Sequence, residues 1–348
     1  MSSGRRRNVM EEKKPLRVGQ IGCGYWGPNL VRAFMRLGDV DLVSVCDAST
    51  EMLERVLSVY PALEGTGSAD ELIGNPEIDA VVVASSARTH FEFSRKALEA
   101  GKHVLVEKPL SLKVSEGEEL VRLSEDSGLT LMVGHLLLYH QAVERVKEYL
   151  RSGEIGDVLY LYSQRLNLGR VRHDENCLWS LAPHDLSVIT YLLGQEPVEV
   201  STHGMSYLRG GIEDVVFCTL RFPDDVIANL HISWLDPHKV RRLTIVGSKK
   251  MMVFDDMSNG EKLRVYDKGV DFREDEMGYQ SALEPRFGDV LLPAIEQEEP
   301  LLRECRHFVE CVRDGREPLS GGREGLEVLR ILNAAQESLD SRGEPVSI

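Results

Sequence analysis

Three glycines, an aspartate, a lysine and a histidine carry most of the chemistry legible in this chain. Gly22, Gly24 and Gly27 form a GxGxxG in "IGCGYWGPNL", directly after an apolar, strand-like run and at the opening of a helical pattern. There, glycine permits a tight turn and lets backbone N–H groups approach a pyrophosphate, which the helix N-terminus then stabilises. Tyr25 and Trp26 lie within the same loop. Asp47 closes the next strand-like run, "VSVCD", 20 residues after Gly27. An acidic side chain at that place accepts hydrogen bonds from an adenosine ribose and repels a 2′-phosphate, so the pattern predicts NAD rather than NADP. In "HVLVEKPLSL", three alternating apolar residues run into Glu107, Lys108 and Pro109, which sets a cation where a buried strand should simply end. A lone lysine there is ordinarily a solvated surface group, unless the fold gives that strand end a ligand to face.

The elements that must position these residues show two rhythms. From residue 16 to about 135, "LRVGQIG", "VDLVSVCD", "IDAVVVASS", "KHVLVEKP" and "LTLMVGH" alternate with helical patterns, and Gly101 and Gly128 sit where helices should stop. This predicts βαβ units and a doubly wound parallel sheet, a Rossmann domain over 15–135. Ligands bind beyond the carboxyl ends of such strands, so Glu107, Lys108 and Pro109 should project from the same edge as Gly24, Asp47 and Ser85, with His90 just beyond Ser85. Pro109 restricts its own backbone and that of Lys108. After "AVERVKEYLRSG" the character changes. "VIANLHISWL" places Val226, Ala228, Leu230, Ile232 and Trp234 on one face and Asn229, His231 and Ser233 on the other, the period of a half-buried strand. Similar runs at "DVLYLYSQRL", "VEVSTHGMSYL", "DVVFCTLRF", "RRLTIVG" and "KMMVFDD" predict an α+β domain over 136–348 with a large, mostly antiparallel open sheet, ending in two helices.

Composition narrows the partners. The 348 residues carry a formal net charge of −15, which argues against general affinity for nucleic acid or anionic membranes. The one basic run, Arg5 to Arg7, lies in a segment, 1–14, that reads as a flexible arm. With no apolar stretch of spanning length and no signal-peptide core, the expected location is cytoplasmic, with no membrane insertion. Cys23, Cys46, Cys177, Cys218, Cys305 and Cys311 show no CxxC and no Cys/His metal spacing, so buried thiols are expected, with neither disulfides nor a metal site.

"IGCGYWGPNL", "DAVVVASSARTHFEFSRKALEAGKHVLVEKPLSL" and "SGEIGDVLYL" together resemble the glucose-fructose oxidoreductase, inositol dehydrogenase and MocA-like family of sugar oxidoreductases over nearly the whole chain. The resemblance implies a nicotinamide cofactor and puts the motif lysine, Lys108, close to the reacting carbon. It also matches His184 in "NCLWSLAPHDLSVITYLLG" to a histidine that relatives commonly precede, four positions earlier, by an acidic residue; here that position is Ser180. Asp185 is an alternative second group. Oxidising a secondary alcohol removes a hydride from carbon and a proton from oxygen, so the site needs a nicotinamide acceptor and a base. His184 is suited to take the proton near neutral pH, with Lys108 holding the sugar oxygen, although a lysine of lowered pKa could exchange roles with it.

"GYWGPNL", "LAPHDLS" and "NLGRVR" resemble the subgroup that oxidises the 3-hydroxyl of UDP-N-acetylhexosamines on the way to 3-amino sugars of surface polysaccharides. For a UDP-sugar, "SQRLNLGRVRHDEN" offers Arg165, Asn167, Arg170, Arg172 and Asn176 as a loop of cations and amides before His184. His135, Tyr139 and His140 fall at the domain junction, where they could line the cleft or pack. Three readings stay open: the nucleotide-sugar dehydrogenase, a free-sugar or inositol dehydrogenase or nucleotide-ketosugar reductase, and a non-catalytic NAD-binding regulator. A homo-oligomer, dimer or tetramer, is expected, because the outer face of a large open sheet is apolar.

Overall fold

The computed structural model describes residues 14–169, 171–173, 175–274 and 281–348. The expected arm over 1–14, apart from Lys14, and Arg170 lie outside the described residues. The first sheet is built from β1 (Leu16–Ile21), β2 (Val40–Cys46), β3 (Glu64–Thr66), β4 (Ala80–Val83), β5 (His103–Glu107) and β6 (Leu131–Gly134), interleaved with α1 (Gly27–Met35), α2 (Thr50–Val59), α3 (Ala69–Gly74), α4 (Ala87–Glu99) and α5 (Val114–Ser127). Its strands run parallel in the order β3-β2-β1-β4-β5-β6. Residues Ala80–Val83 are buried at every position, as a parallel strand covered on both faces must be. The order reverses between β1 and β4, which opens a crevice at their carboxyl ends. Gly101 and Gly128 follow α4 and α5 at positive φ, +75° and +67°, where the chain turns into the next strand.

A 3₁₀ turn, Leu136–Tyr139, and α6 (Gln141–Arg151) lead into the second half. There β7 (Val158–Leu166), α7 (Cys177–Leu193), β8 (Glu199–Met205), β9 (Val215–Arg221), β10 (Ile227–Ser233), β11 (Val240–Gly247), β12 (Met251–Asp255), β13 (Leu263–Glu274) and β14 (Ser281–Leu291) precede α8 (Pro300–Asp314), α9 (Gly322–Asp340) and β15 (Val346–Ser347). The nine strands lie in the order β14-β13-β12-β11-β7-β10-β9-β8-β15. Only β7 and β10 pair in parallel. On β10, Ala228, Leu230 and Ile232 are buried against α7, with Trp234 buried just beyond. The opposite sheet face stays open: Tyr160, Tyr162, Phe217 and Ile227 are exposed there, and Phe217 stacks on His231 at 4.4 Å between ring centroids.

The last two helices return to the nucleotide half. α9 packs against α5 and β6, and α8 against α1. The N–H of Val133 in β6 donates to Ser320 O at 2.7 Å, and Glu299, at the start of α8, pairs with Arg32 and with Arg36, the latter at 3.1 Å. The chain crosses between its two sheets near residue 135, but residues 300–340 pack against both halves. All six cysteines are buried and free. Among the described residues there is no cluster of three or more His, Cys, Asp or Glu able to hold a metal ion, and no helix is long and apolar enough to cross a membrane.

Candidate active site

The carboxyl ends of the parallel strands open into a cavity of about 1660 Å³ that continues between the two halves to the second sheet. At its nucleotide end, Gly22 has φ +106°, and a Cβ there would collide with the main chain at Ala84; one on Gly27 would collide with Gly22 O. Both glycines are thus required by close backbone approach. Gly24 differs: a Cβ there would meet no protein atom within 4 Å, so this side of the loop is open to a ligand. Buried Gln20 holds the turn from below, donating from Nε2 to Gly22 O at 2.8 Å and Gly27 O at 3.0 Å. Asp47 accepts from Cys23 N at 2.7 Å and Ser49 N at 2.8 Å, one bond per carboxylate oxygen, leaving a lone pair on each for ribose hydroxyls. These features fit a dinucleotide. Tyr25 is exposed on the loop, and Trp26 is half-buried beside the Glu107 carboxylate, its indole N–H short of hydrogen-bond geometry.

Ser85 lines the cavity at the end of β4, bonded to Thr89 Oγ1 at 2.8 Å. His90 also borders it, but the ring is buried, with Nδ1 2.7 Å from Pro109 O and Nε2 3.3 Å from Ser85 O. Burial lowers its pKa, so one N–H is present and the shorter contact identifies its acceptor. The placement makes His90 a tie between the end of β4 and the turn carrying Lys108, where the Lys108–Pro109 peptide bond is cis.

Lys108 and His184 both line the cavity. The Lys108 ammonium donates to Ser180 O in the first turn of α7 at 3.0 Å. Burial lowers its pKa; Glu175, then Glu107, oppose that shift, while Arg172 and Arg165 add to it. His184 lies one turn further along α7, with no partner for Nδ1. Its pKa is held well below the ordinary range by burial first, then by Lys108, Arg165, His135 and Arg241. The imidazole is therefore neutral at pH 7, the form that can accept a proton. His135, buried with neither ring nitrogen partnered, is pushed down to about 3 by burial and by Lys108. Glu107 folds its carboxylate over Gly134, where a Cβ would sit 3.0 Å from Oε2. Burial raises Glu107 to about 7, against the pull of Lys108. Buried Glu304, on α8, is raised well above the ordinary carboxylate range by burial first and then by Glu107.

Several expected ligands have other work. Arg165 belongs to β7, not to a loop, and its buried guanidinium forms a two-toothed pair with Asp185, one contact being Nη2 to Oδ1 at 3.2 Å. Asp185 also accepts from Ser163 Oγ at 2.6 Å. Its partners are thus Arg165 and Ser163, both on β7. Asn176 is the N-cap of α7: it accepts from Trp179 N at 3.1 Å and donates to Glu213 and Gln336 at 2.9 and 3.0 Å. Tyr139 and His140 pack, the first bonded to Ser320 Oγ at 3.0 Å and the second capping α6 through Ala142 N at 3.1 Å. Arg165, Asn167, Arg172 and Asn176 all line the cavity; Asn167 Oδ1 is buried without a partner, and Arg172 pairs with Glu175 at 3.0 Å.

Two family descriptions match the chain: "Oxidoreductase family, NAD-binding Rossmann fold" over residues 16–135 and "GFO/IDH/MocA C-terminal domain" over residues 143–253. The chain belongs to the GFO/IDH/MocA oxidoreductase family. It is similar to the UDP-N-acetylglucosamine 3-dehydrogenase of Acidithiobacillus ferrooxidans, 28% identical over 73% of this chain and 78% of that protein, and to the myo-inositol 2-dehydrogenase of Thermotoga maritima, 25% identical over 94% and 97%. A solved structure of the Acidithiobacillus enzyme superposes with TM-score 0.78 at 25% identity, covering 94% of this chain and 98% of that one. As a member of this family, with its NAD-binding Rossmann domain, the chain is an NAD-dependent oxidoreductase. Its site includes residues that sequence reasoning passed over: Glu175, Lys239, Arg241 and Gln336. Lys239 and Arg241 come from "DPHKVRR" before and in β11, whose basic character was the available signal. Gln336 arrives on α9, with no local signal at all.

Proposed function

We propose that this protein oxidises the 3-hydroxyl of a UDP-N-acetylglucosamine-type nucleotide sugar to the 3-keto sugar, a step towards 3-amino sugars of surface polysaccharides. The observation that carries this reading is that Asn167, Arg172, Lys239 and Arg241 line the same cavity as Lys108 and His184, with Arg172 paired to Glu175 and Arg241 to Asp256. A free sugar or inositol needs hydroxyl partners but no group of three cations; a diphosphate does. NAD, when bound, supplies the hydride acceptor. The Lys108 ammonium donates to the reacting oxygen and stabilises the negative charge that develops on it, and neutral His184 accepts the hydroxyl proton. Asp185 is engaged by Arg165 and Ser163 and His184 Nδ1 has no hydrogen-bond partner, so the burden of lowering the alcohol's proton affinity falls on Lys108. Tyr160, Tyr162, Phe217 and Ile227 on the open sheet face support a homo-oligomer; sedimentation as a monomer would count against it.

The test is NADH absorbance with NAD and a panel of UDP-N-acetylhexosamines, inositols and free hexoses. Turnover confined to the UDP-sugars supports the proposal. Turnover with inositols or free hexoses alone would replace it by the free-sugar reading, and hydride transfer with none would favour the regulator.

A further inference from the structure

Lys108 directly follows β5, in the nucleotide half, whereas the carbonyl that receives its ammonium, Ser180 O, belongs to α7 in the other half. Their meeting depends on how the first turn of α7 is held. That turn is weakened from within. Pro183 lies inside α7 and has no N–H to return to Trp179 O four positions back, so one main-chain bond between the first and second turns is missing. Ser180, which carries the dock, and His184 stand on either side of this proline.

A side chain of α9 supplies a hold from outside. Gln336 Oε1 accepts from Asn176 Nδ2 and from Trp179 Nε1, both at 3.0 Å, while Gln336 Nε2 donates to Asp340 Oδ1 at 2.9 Å. This orientation of the amide pairs every donor with an acceptor; turning it over would set N–H against N–H on one side and oxygen against a carboxylate on the other. One oxygen thereby joins the N-cap of α7 to the residue directly before Ser180, and Asn176 O accepts from Ser180 N at 3.1 Å. Trp179 packs against two hydrophobic clusters, one of which contains Val106 of β5, Val133 of β6 and Leu329 of α9. Because α9 packs against α7 as well as α5 and β6, Gln336 ties the start of α7 to the half that carries Lys108. We propose that Gln336 is a positioning residue for the reaction: by fastening Asn176 and Trp179 to α9 it holds the Ser180 carbonyl where Lys108 docks, and so sets where the ammonium stands against the reacting oxygen. The inference rests on the reading of Lys108 as the group at that oxygen.

The first arm of the test reads the dock without a substrate. The full-length chain is pulse-acetylated with acetic anhydride at one mildly alkaline pH, and labelling of Lys108 is compared by mass spectrometry with that of Lys239, an exposed lysine of the same cavity. In Gln336→Met, which keeps the side chain's length at a half-buried position, the Lys108-to-Lys239 ratio should rise about tenfold, at the strength of one or two hydrogen bonds, with NAD affinity by fluorescence titration unchanged. Gln336→Glu combined with Asp340→Asn keeps both acceptor bonds and reverses the third, and should restore the wild-type ratio. In the second arm, kcat with UDP-N-acetylglucosamine should fall about tenfold in Gln336→Met, recover in the paired variant, and fall no further when Gln336→Met is added to Lys108→Ala. A ratio unmoved in Gln336→Met overturns the proposal, and so does one that stays raised in the paired variant, or a kcat loss that Lys108→Ala does not absorb. The reading beneath it fails by other results: wild-type kcat in Lys108→Ala removes Lys108 from the chemistry, and no turnover of the UDP-sugar by the unaltered protein removes that substrate, while the labelling ratio still decides whether Gln336 holds the dock.

Discussion

Replacing Glu107 by Gln should change how stability depends on pH. In the native chain the Glu107 carboxyl is buried against Gly134, beside a second buried acid, Glu304, and its pKa rises from 4.5 to about 7. Native Glu107 therefore holds its proton more tightly than the unfolded chain does. Its contribution is fully present below pH 4.5 and is lost as pH rises through about 7. At about 1.4 kcal/mol per tenfold change in proton affinity, the cost of the ionised form is about 3 kcal/mol. The isosteric amide cannot ionise. Relative to its own value at pH 5, Glu107→Gln should thus gain about 3 kcal/mol over the wild type by pH 8. Other groups titrate in this window: Glu327, also raised to about 7, and histidines lowered by burial, whose stabilising effect instead grows as pH rises towards 6.5. They are common to both proteins and largely cancel in the difference. Glu304 loses a repulsive neighbour in the variant, but burial, the larger cause, remains. The assay is urea unfolding of both proteins from pH 5 to 8. Curves of stability against pH that run parallel would refute the buried, proton-holding Glu107.

Lys108→Ala should lower kcat by about 100- to 1000-fold, the loss of one donor to a developing oxyanion, while NAD affinity by fluorescence titration changes little; wild-type kcat would sink the assignment. The pH profile of kcat separates the two bases: a limb that falls at high pH and disappears in Lys108→Ala marks Lys108 as the donor, and a limb that rises with pH and disappears in the same variant marks it as the base. Asp47→Ala should weaken NAD and relax discrimination against NADP, and also soften the loop, because the bonds to Cys23 N and Ser49 N go with it. Tighter binding of NADP than NAD by the unaltered protein would refute the ribose role. Lys239→Ala and Arg241→Ala should each raise KM for UDP-N-acetylglucosamine by about tenfold, at about 1.4 kcal/mol per lost charge-assisted contact. Unchanged KM in both would mean that these cations do not hold a diphosphate.

The parallel sheet was legible because each of its central strands is a short apolar run ending in a turn signal, and β4, buried at all four positions, is the extreme case. β3 was not, since Glu64, Gly65 and Thr66 are only half-buried or exposed and carry no apolar pattern. The β13–β14 hairpin was missed for a related reason. Leu263 and Val265 are buried at its base, but Val270, Leu283 and Phe287 beyond them are exposed, so its length is set by pairing rather than by a core. The return of α8 and α9 to the first half has no local signature either: contacts such as Val133 N to Ser320 O join residues almost two hundred positions apart.

Within the site, legibility followed the same division between local and tertiary causes. Lys108 and the glycines could be placed because strand ends and loops in a parallel sheet face one edge. Arg165 was misplaced because a cation after "LYSQ" reads as the start of a loop. A strand can bury it only when a carboxylate arrives to pair with it, and Asp185 does so from the next helix. Asn176 could have been read locally: Asn directly before an apolar helical run is an N-cap signature, and a cap engaged with Trp179 N, Glu213 and Gln336 has no N–H left for a substrate. That cap fixes where α7 begins, and with it the first-turn carbonyl of Ser180 that receives the Lys108 ammonium at 3.0 Å. The lysine's dock is thus a main-chain group placed by a helix start, so no side-chain pattern in the sequence could announce it.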